Sequence, residues 1–345
     1  MFLDFYGLKQ QPFGVTPDPS FLYLSPAHRE ALASLYYGIE AGRGFLSLIA
    51  KPGMGKTSLL FHLLHRFQNT ARTAFVFQTQ CTSREFMRFL LLEVDCEIHE
   101  QQDLVSMHDL FNRCLLREAR AGRRVIIVID EAQNLDPSVL ETVRLLSDFE
   151  TPHAKLLQIV MAGQPELADK LARPSLTQLR QRISLLSSLE PLPLREVERY
   201  IEHRLKVAGH EGGSMFTPGA QKLIWELSKG IPRSINNFCF NAMSLGCALQ
   251  RKTIDVDLLQ EVASDFDLSG LISQSDTIDT HFLPAASAFR EVVNASAMPR
   301  PEDAQLGNNA LPRKPSRPEF LTPADAQEYL RKIGELLKTQ HVRAN

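Results

Sequence analysis

Two patterns of apolar and polar positions alternate along the first half of the chain. Short, almost wholly apolar runs are typical of buried strands, and apolar residues that recur every three or four positions are typical of one-sided helices. The predicted strands span residues 45–49, 73–78, 124–129 and 156–162. The predicted helices between them span residues 57–67, 83–92, 107–121 and 137–148. This alternation predicts an α/β fold with a mainly parallel sheet sandwiched by helices.

The ends of the chain depart from this alternation. After about residue 191, four helical stretches follow without a strong strand run and predict a small helical domain, at 195–208, 218–228, 233–250 and 255–266. Near the N-terminus, residues 5–24 are rich in aromatic residues and prolines, which predicts an irregular arm lying against the surface of the part of the chain that follows it, ahead of a helix started by Ser25 and Pro26. Beyond residue 269 prolines multiply and large apolar residues become few, which predicts a mostly disordered tail.

Five parts are therefore expected. They are an N-terminal arm and first helix at 1–44, a sheet domain at 45–190, a helical lid domain at 191–268, a disordered linker at 269–321 and a C-terminal amphipathic helix at 322–340.

Composition narrows the class of protein. The 345 residues include 38 Lys and Arg against 40 Asp and Glu, a net charge of −2, and 44% are hydrophobic, which excludes a predominantly disordered or fibrous chain. Apolar runs stay well short of the ~18 residues of a membrane span, and the N-terminus lacks the basic region of a secretion signal. These features predict a cytoplasmic protein with no membrane span. The five cysteines are odd in number and include no C-x-x-C pair, so they predict ordinary thiols rather than disulfides or a zinc site.

The clearest candidate for chemistry directly follows the first predicted strand. Residues 50–57, A-K-P-G-M-G-K-T, match the phosphate-binding loop G-x-x-x-x-G-K-[ST], with Ala50 in place of the first glycine. The glycines of such a loop let backbone N–H groups converge on phosphate oxygens, and the helix that follows favours anions. We expect Lys56 to reach the β and γ phosphates and the Thr57 hydroxyl to bind Mg²⁺. The predicted nucleotide-binding residues here are Ala50, Lys51, Pro52, Gly53, Met54, Gly55, Lys56, Thr57 and Ser58.

Two further predicted strands also end in polar side chains. Asp130 and Glu131 close the apolar run 125–129. In a P-loop protein the first carboxylate holds Mg²⁺, and the second polarises the water that attacks the γ-phosphate. Gln164 follows the strand at 156–162, where it could contact the γ-phosphate or the water, or only cap the helix that begins near Pro165.

Three arginines are further candidates, because the guanidinium fork suits phosphate oxygens. Arg180 and Arg182 lie at the end of the sheet domain, and Arg233 lies at the start of a lid helix. The alternative for each is a solvated or paired surface residue.

Taken together, these motifs and several others resemble one family. The further matching pieces are F-Y-G-L-K at 5–9, L-Y-L at 22–24, H-R-E-A-L at 28–32, I-D-E-A-Q at 129–133, A-G-Q-P-E-L at 162–167, L-R-Q-R-I at 179–183 and G-I-P-R-S-I-N at 230–236. In this combination the chain, from about residue 5 to 267, resembles the AAA+ ATPases of the bacterial general secretion pathway A (ExeA-type) family, together with related ATPases found with exosortase and exopolysaccharide systems.

The resemblance implies an AAA+ P-loop ATPase that binds and hydrolyses ATP with Mg²⁺. It implies a Walker A motif at 50–57, a Walker B motif at Asp130 and Glu131, sensor 1 at or beside Gln164 and sensor 2 at Arg233. It also implies a homo-oligomer with shared ATP sites, in which Arg182 is the arginine finger and Arg180 the alternative.

The expected process is the assembly of a secretion or envelope system, with an unidentified partner protein that recruits the ATPase to the inner membrane. The alternative is a DNA-associated ATPase of the origin-recognition or transposition-helper type. The net charge of −2, the dispersed basic residues and the lack of a winged helix after the lid argue against that alternative. A nucleotide-bound scaffold without turnover is a third class, and Glu131 argues against it.

Overall fold

The computed structural model describes residues 2–272, except Pro17, Gln78, Glu100, Gln101, Pro152 and His153. The predicted C-terminal helix at 322–340 and the linker from residue 273 onward lie outside the described residues.

A parallel sheet of five strands lies at the centre of the fold. The strands of the chain are β1 (Phe45–Ala50), β2 (Ala71–Val76), β3 (Arg124–Ile129), β4 (Glu150–Thr151), β5 (Ala154–Lys155), β6 (Leu157–Gly163) and β7 (Leu185–Leu189). The sheet order is β2-β3-β6-β1-β7, with every neighbouring pair parallel, and β4 and β5 form a separate antiparallel pair. The four predicted strands are confirmed, and the sequence analysis missed the two-residue strands β4 and β5 and the edge strand β7. That edge strand contains Ser187 and Ser188, so it lacks the apolar run that marks a buried strand.

Helices cover the sheet and make up most of the described chain after β7. They are α1 (Phe2–Tyr6), α2 (Pro26–Glu40), α3 (Lys56–Phe67), α4 (Ser83–Glu93), α5 (Leu104–Arg120), α6 (Pro137–Leu146), α7 (Pro165–Ala172), α8 (Thr177–Arg182), α9 (Leu194–Val207), α10 (Pro218–Ser228), α11 (Pro232–Ala248) and α12 (Val256–Ile272). As expected, Ser25 caps α2: its hydroxyl accepts a hydrogen bond from the His28 N–H, with Pro26 at the first helical position. Helix α12 continues to Ile272, past the predicted start of the linker at 269.

The sheet has a hydrophobic cluster on each face. Successive residues of β3 point to opposite faces, so Ile127 and Ile129 join the cluster with α4 to α8, whereas Ile126 and Val128 join the cluster with α2 and α3. Because both faces are covered, the strand reads as one continuous apolar run. The predicted parallel sheet sandwiched by helices is thereby confirmed.

The N-terminal arm was expected to lie against the surface of the part of the chain that follows it, but it is instead built into the core of the helical lid. Tyr6, Leu8, Phe13 and Phe21 are all buried, in one cluster with apolar residues of α9 to α12. The Tyr6 hydroxyl donates a hydrogen bond of 2.8 Å to the Met243 carbonyl in α11. Aromatic side chains bury large apolar areas, so the arm forms part of the core of the helical lid.

Two of the five cysteines depart from the prediction of free thiols. Cys96 and Cys114 are joined by a disulfide, 18 residues apart in sequence. Cys96 follows α4 and Cys114 lies in α5, and both side chains are buried in the same cluster. Sequence spacing holds no sign of this pair, because the packing of α4 on α5 brings the two positions together.

Candidate functional site

Parallel pairing brings the ends of three neighbouring strands to one edge of the sheet. Ile49 of β1 lies opposite Gly163 of β6, and Ile129 of β3 lies opposite Met161 of β6. The segments that begin after Ile49, Ile129 and Gly163 are the three predicted polar motifs. The carboxyl edge of an open parallel sheet is where such folds bind ligands.

The loop after β1 turns sharply before it enters α3. Gly53 and Gly55 have φ angles of 77° and 85°, a left-handed conformation that favours glycine. A Cβ atom on Gly53 would also lie 2.8 Å from the Arg233 Cβ, so lid and loop approach closely here. Ala50 is the last residue of β1 and has extended backbone, in which a methyl group causes no strain.

Lys56, the first residue of α3, is buried beneath this loop. Only 5% of the residue is exposed, and its Nζ donates a hydrogen bond of 3.1 Å to the Ala50 carbonyl. The Nζ also lies 4.0 Å from the Glu131 Oε1. A buried ammonium group with this few partners favours an anion in the adjacent cavity.

Thr57 and Asp130 form a hydroxyl–carboxylate pair beside the loop. The Thr57 Oγ1 donates to the Asp130 Oδ2 at 2.6 Å, and the Glu131 N–H donates to the Asp130 Oδ1 at 2.9 Å. Burial raises the pKa of Asp130 above its usual value, against the opposing effect of these hydrogen bonds.

Glu131 has an unusual backbone and a well-defined side chain. Its φ of 51° and ψ of 37° lie in the left-handed region, which costs a non-glycine residue about 1–3 kcal/mol and is enriched at functional sites. The Oε2 accepts hydrogen bonds from the side-chain amides of Gln133 at 2.6 Å and Gln164 at 3.0 Å. Partial burial by itself would raise the pKa of Glu131. The two amides, with the positive charges of Lys56 and Arg233, outweigh burial and lower that pKa, so the carboxylate is ionised at neutral pH.

His28, in α2, contacts the backbone of the phosphate loop through its ring. Its Nε2 lies 3.0 Å from the Met54 carbonyl and its Nδ1 lies 2.7 Å from the Ser25 hydroxyl. A carbonyl only accepts, so Nε2 carries the proton and Nδ1 accepts from Ser25. Burial lowers the pKa of His28, in opposition to the Met54 carbonyl, so the ring is neutral.

A cavity of about 210 Å³ lies over these residues. The phosphate loop, Glu131 and Gln164 line one side. The arm and the lid helices line the other side through Val15, Thr16, Tyr23, Tyr200, Arg204, Arg233 and Asn236.

The structure brings most of the predicted site residues together. Residues 52–58, Glu131, Gln164 and Arg233 line the cavity, and Asp130 contacts it through Thr57. Arg180 and Arg182 lie apart from it on α8, where Arg180 donates to the Ala172 carbonyl and Arg182 pairs with Asp148.

Sequence reasoning missed other residues of the site. Gln133 and His28 both belong to motifs of the family resemblance, but no local pattern indicated their contacts. Tyr200, Arg204 and Asn236 reach the cavity through the packing of the lid.

The oxygen donors beside the loop suit Mg²⁺. Among the described residues, no group of three or more His, Cys, Asp or Glu side chains could hold a metal ion. Mg²⁺ in nucleotide sites, however, takes one or two protein oxygens and completes its shell with phosphates and water. The Thr57 hydroxyl and the Asp130 carboxylate, 2.6 Å apart, are such a pair. Within the described part of the chain, no helix is both long and apolar enough to cross a membrane.

Known proteins are similar to this chain in sequence and in fold. Residues 39–171 match the family described as AAA domain. The chain is 40% identical over 243 residues to general secretion pathway protein A of Aeromonas hydrophila. The aligned region covers 70% of this chain and 44% of that protein. It is 28% identical over 230 residues to an uncharacterized HTH-type transcriptional regulator of Methanocaldococcus jannaschii. That aligned region covers 65% of this chain and 49% of that protein. The chain thus spans about half the length of the curated relatives it matches.

A solved structure confirms the class of fold. The ORC2 protein of Aeropyrum pernix superimposes with a TM-score of 0.58 at 16% identity, covering 74% of this chain and 71% of that one. At this identity the likeness concerns the fold alone. The chain therefore contains an AAA domain with a P-loop fold, and its predicted resemblance to general secretion pathway protein A is confirmed.

Proposed function

We propose that this protein is an ATPase that binds ATP with Mg²⁺ in the cavity and hydrolyses it. One arrangement carries the proposal: the buried Lys56, the Thr57–Asp130 pair and the ionised Glu131 surround the same cavity. The proposed sheet domain at 45–190 and lid domain at 191–268 supply its two walls, and Arg233 comes from the lid.

Each residue has a distinct task toward the phosphates. The N–H groups of the loop and the Lys56 ammonium bind the phosphate oxygens. Thr57 and Asp130 would hold Mg²⁺, which neutralises charge on the β and γ phosphates when bound. Arg233, on α11, contributes positive charge from the lid side, as a sensor 2 arginine would.

Glu131 acts on the attacking water. The oxygen of water forms a bond to the γ-phosphorus as the bond from that phosphorus to the β,γ-bridging oxygen breaks, and the electron pair of that bond leaves with ADP. Glu131 orients the water and accepts its proton, which is finally carried by inorganic phosphate or solvent. An ionised carboxylate is required for this task, and its hydrogen bonds and nearby positive charges keep Glu131 ionised.

Two substitutions separate binding from hydrolysis. Lys56→Ala should weaken ATP binding by roughly 10- to 100-fold, since a charge-assisted hydrogen bond contributes about 1.5–3 kcal/mol. Glu131→Gln should retain ATP affinity and lose about 10²- to 10⁴-fold in turnover. Nucleotide affinity is measured by fluorescence titration and turnover by phosphate release, with the exposed Lys222→Ala as control. Wild-type turnover in Glu131→Gln would refute the proposed role.

We further propose a homo-oligomer with shared ATP sites. Support comes from α8, where Arg180 and Arg182 are partly or fully exposed at a distance from their own chain's cavity. An arginine placed there could complete the site of a neighbouring subunit, as the family resemblance implies.

The process that we propose is the assembly or regulation of a secretion or envelope system. Its support is the relative from Aeromonas hydrophila, whose name places it in the general secretion pathway. We also propose that the ATPase lies in the cytoplasm and that a partner protein recruits it to the inner membrane. Cross-linking pull-down with ATP-bound Glu131→Gln should recover envelope components. Turnover that rises with duplex DNA and falls steeply with salt would instead favour the DNA-associated alternative.

A further inference from the structure

The Gln133 side chain links Glu131, which follows β3, to Gln164, which follows β6. Its side-chain Nε2 donates to the Glu131 Oε2 at 2.6 Å, and its Oε1 accepts from the Gln164 N–H at 3.1 Å. We infer that Gln133 is a positioning residue, which holds the Glu131 carboxylate in the orientation required for attack by water and does not take part in ATP binding. This inference rests on the proposed hydrolysis.

The orientation of the Gln133 amide follows from its partners. The Gln164 N–H can only donate, so the Gln133 oxygen must face it. The amide nitrogen then faces Glu131, whose ionised carboxylate can only accept. A flipped amide would set oxygen against oxygen and N–H against N–H, so a single arrangement satisfies both contacts.

The surroundings leave room for this amide and anchor its backbone. A Cβ atom at position 163 would lie 2.8 Å from the Gln133 Oε1 and 2.8 Å from the Leu167 Cδ2, so Gly163 provides the space that the amide occupies. The Lys170 Nζ, from α7, donates to the carbonyls of Gln133 and Leu135 at 2.6 and 2.8 Å. The turn that carries Gln133 is therefore tied to the helix that follows Gln164.

The contacts distinguish the two oxygens of Glu131. Both amides bind Oε2, while Oε1 is the oxygen that lies 4.0 Å from the Lys56 Nζ. Oε1 is thus the atom left to accept from a water molecule in the cavity. Loss of the shorter amide bond would let the carboxylate rotate, and a misplacement of about 1 Å can cost about 10²-fold in rate.

Gln133→Met tests the inference, because it keeps the length of the side chain and removes both hydrogen bonds. We expect kcat to fall about 10- to 100-fold, with KM and the affinity for ATP within about twofold of wild type. Asn134→Ala, exposed in the same turn, is the matched control and should retain wild-type kcat. Wild-type kcat in folded Gln133→Met, or a loss of affinity without a loss of kcat, would overturn the inference.

The Glu131→Gln background separates positioning from a general structural effect. If Gln133 acts through Glu131, Gln133→Met should cause little further loss there, because the effects of coupled residues do not add. An equal fold-loss in both backgrounds would overturn the inference. Should Gln133→Met fail to fold by circular dichroism, Gln133→Ala removes the same two hydrogen bonds and should also lower kcat at least about 10-fold. Wild-type kcat in this second variant would overturn the inference.

The same measurements distinguish the positioning role from the proposed function. If Glu131→Gln loses turnover and Gln133→Met does not, the positioning role fails and the proposed hydrolysis stands. If Glu131→Gln turns over like wild type, or wild type does not hydrolyse ATP, the proposed function fails and this inference fails with it.

Discussion

The two walls of the cavity are built in different ways. On the sheet wall, Lys56, Asp130 and Gln164 each lie within a few residues of a strand end, and parallel pairing alone brings them together. On the lid wall, contacts join distant parts of the chain: the Tyr200 hydroxyl donates to Asn236 in another helix, and Asn236 donates to the Gly14 carbonyl in the arm. The sheet wall is therefore formed by short sequence motifs. The lid wall depends on the packing of three segments that are distant in sequence.

The two walls also differ in the chemical groups that they carry. The sheet wall carries the carboxylates and the ammonium group to which we assign roles toward the phosphates, and the lid wall adds the guanidinium of Arg233. The lid wall is held by a buried arginine, Arg204, which donates to the Pro12 carbonyl and the Tyr200 hydroxyl and lies 4.8 Å from the Phe21 ring centroid.

The largest expected effect on turnover comes from an arginine that lies outside both walls of its own chain's cavity. Arg182→Ala should bind ATP normally and lose about 10³-fold or more in turnover, because a guanidinium supplied in trans stabilises charge that grows in the transition state. Phosphate release is measured for this variant and for Arg180→Ala, the alternative finger.

Mixing subunits tests whether the site is shared. Arg182→Ala added to Glu131→Gln should restore activity, since an intact Glu131 and an intact Arg182 meet at some interfaces. Turnover independent of protein concentration, with no loss in either arginine variant, would show that the two walls of one chain suffice.

Substitutions in the core behind the lid wall should lower the free energy of unfolding more than they lower ATP turnover. Phe13 is 2% exposed and packs edge-on against Phe216, with ring centroids 6.1 Å apart. Phe13→Ala should lower the free energy of unfolding by about 3–5 kcal/mol, the usual cost of removing a buried aromatic ring. Urea titration measures the loss, and Leu249→Ala, half exposed in the lid, should stay within about 0.5 kcal/mol of wild type. Wild-type stability of Phe13→Ala would contradict the place of the arm in the lid core.

The smallest expected effect is the pH dependence that His28 contributes to stability. The pKa of His28 is below its unfolded value of 6.5 because the ring is buried. As pH falls through 6.5, the unfolded chain therefore takes up a proton that the folded chain does not, and stability declines until the folded pKa is reached, by at most about 1.4 kcal/mol per pH unit.

His28→Gln isolates this contribution. The glutamine amide can donate to the Met54 carbonyl, but it does not titrate. Unfolding free energies measured at pH 7.5 and 5.5 should differ more in wild type than in His28→Gln, with the other histidines contributing equally to both. An identical pH dependence would mean that His28 is not buried and neutral beneath the loop.

The sheet wall could be predicted from the order of residues alone, because its information is local. The apolar runs of β1, β3 and β6 are long enough to identify buried strands, and residues that follow parallel strands must meet at one edge. The phosphate loop and the Asp130–Glu131 pair are thus recognisable as parts of one site from their positions along the chain.

The remaining features required the folded arrangement, since their contacts depend on packing between segments far apart in sequence. The edge strand β7 lacks an apolar run, the arm has aromatic residues whose burial in the lid no periodicity reveals, and Cys96 meets Cys114 because α4 packs on α5. Gln133 is the sharpest case. It lies two residues from Glu131 in the sequence, yet its role depends on Gln164 and on the space beside Gly163, which β6 brings next to β3.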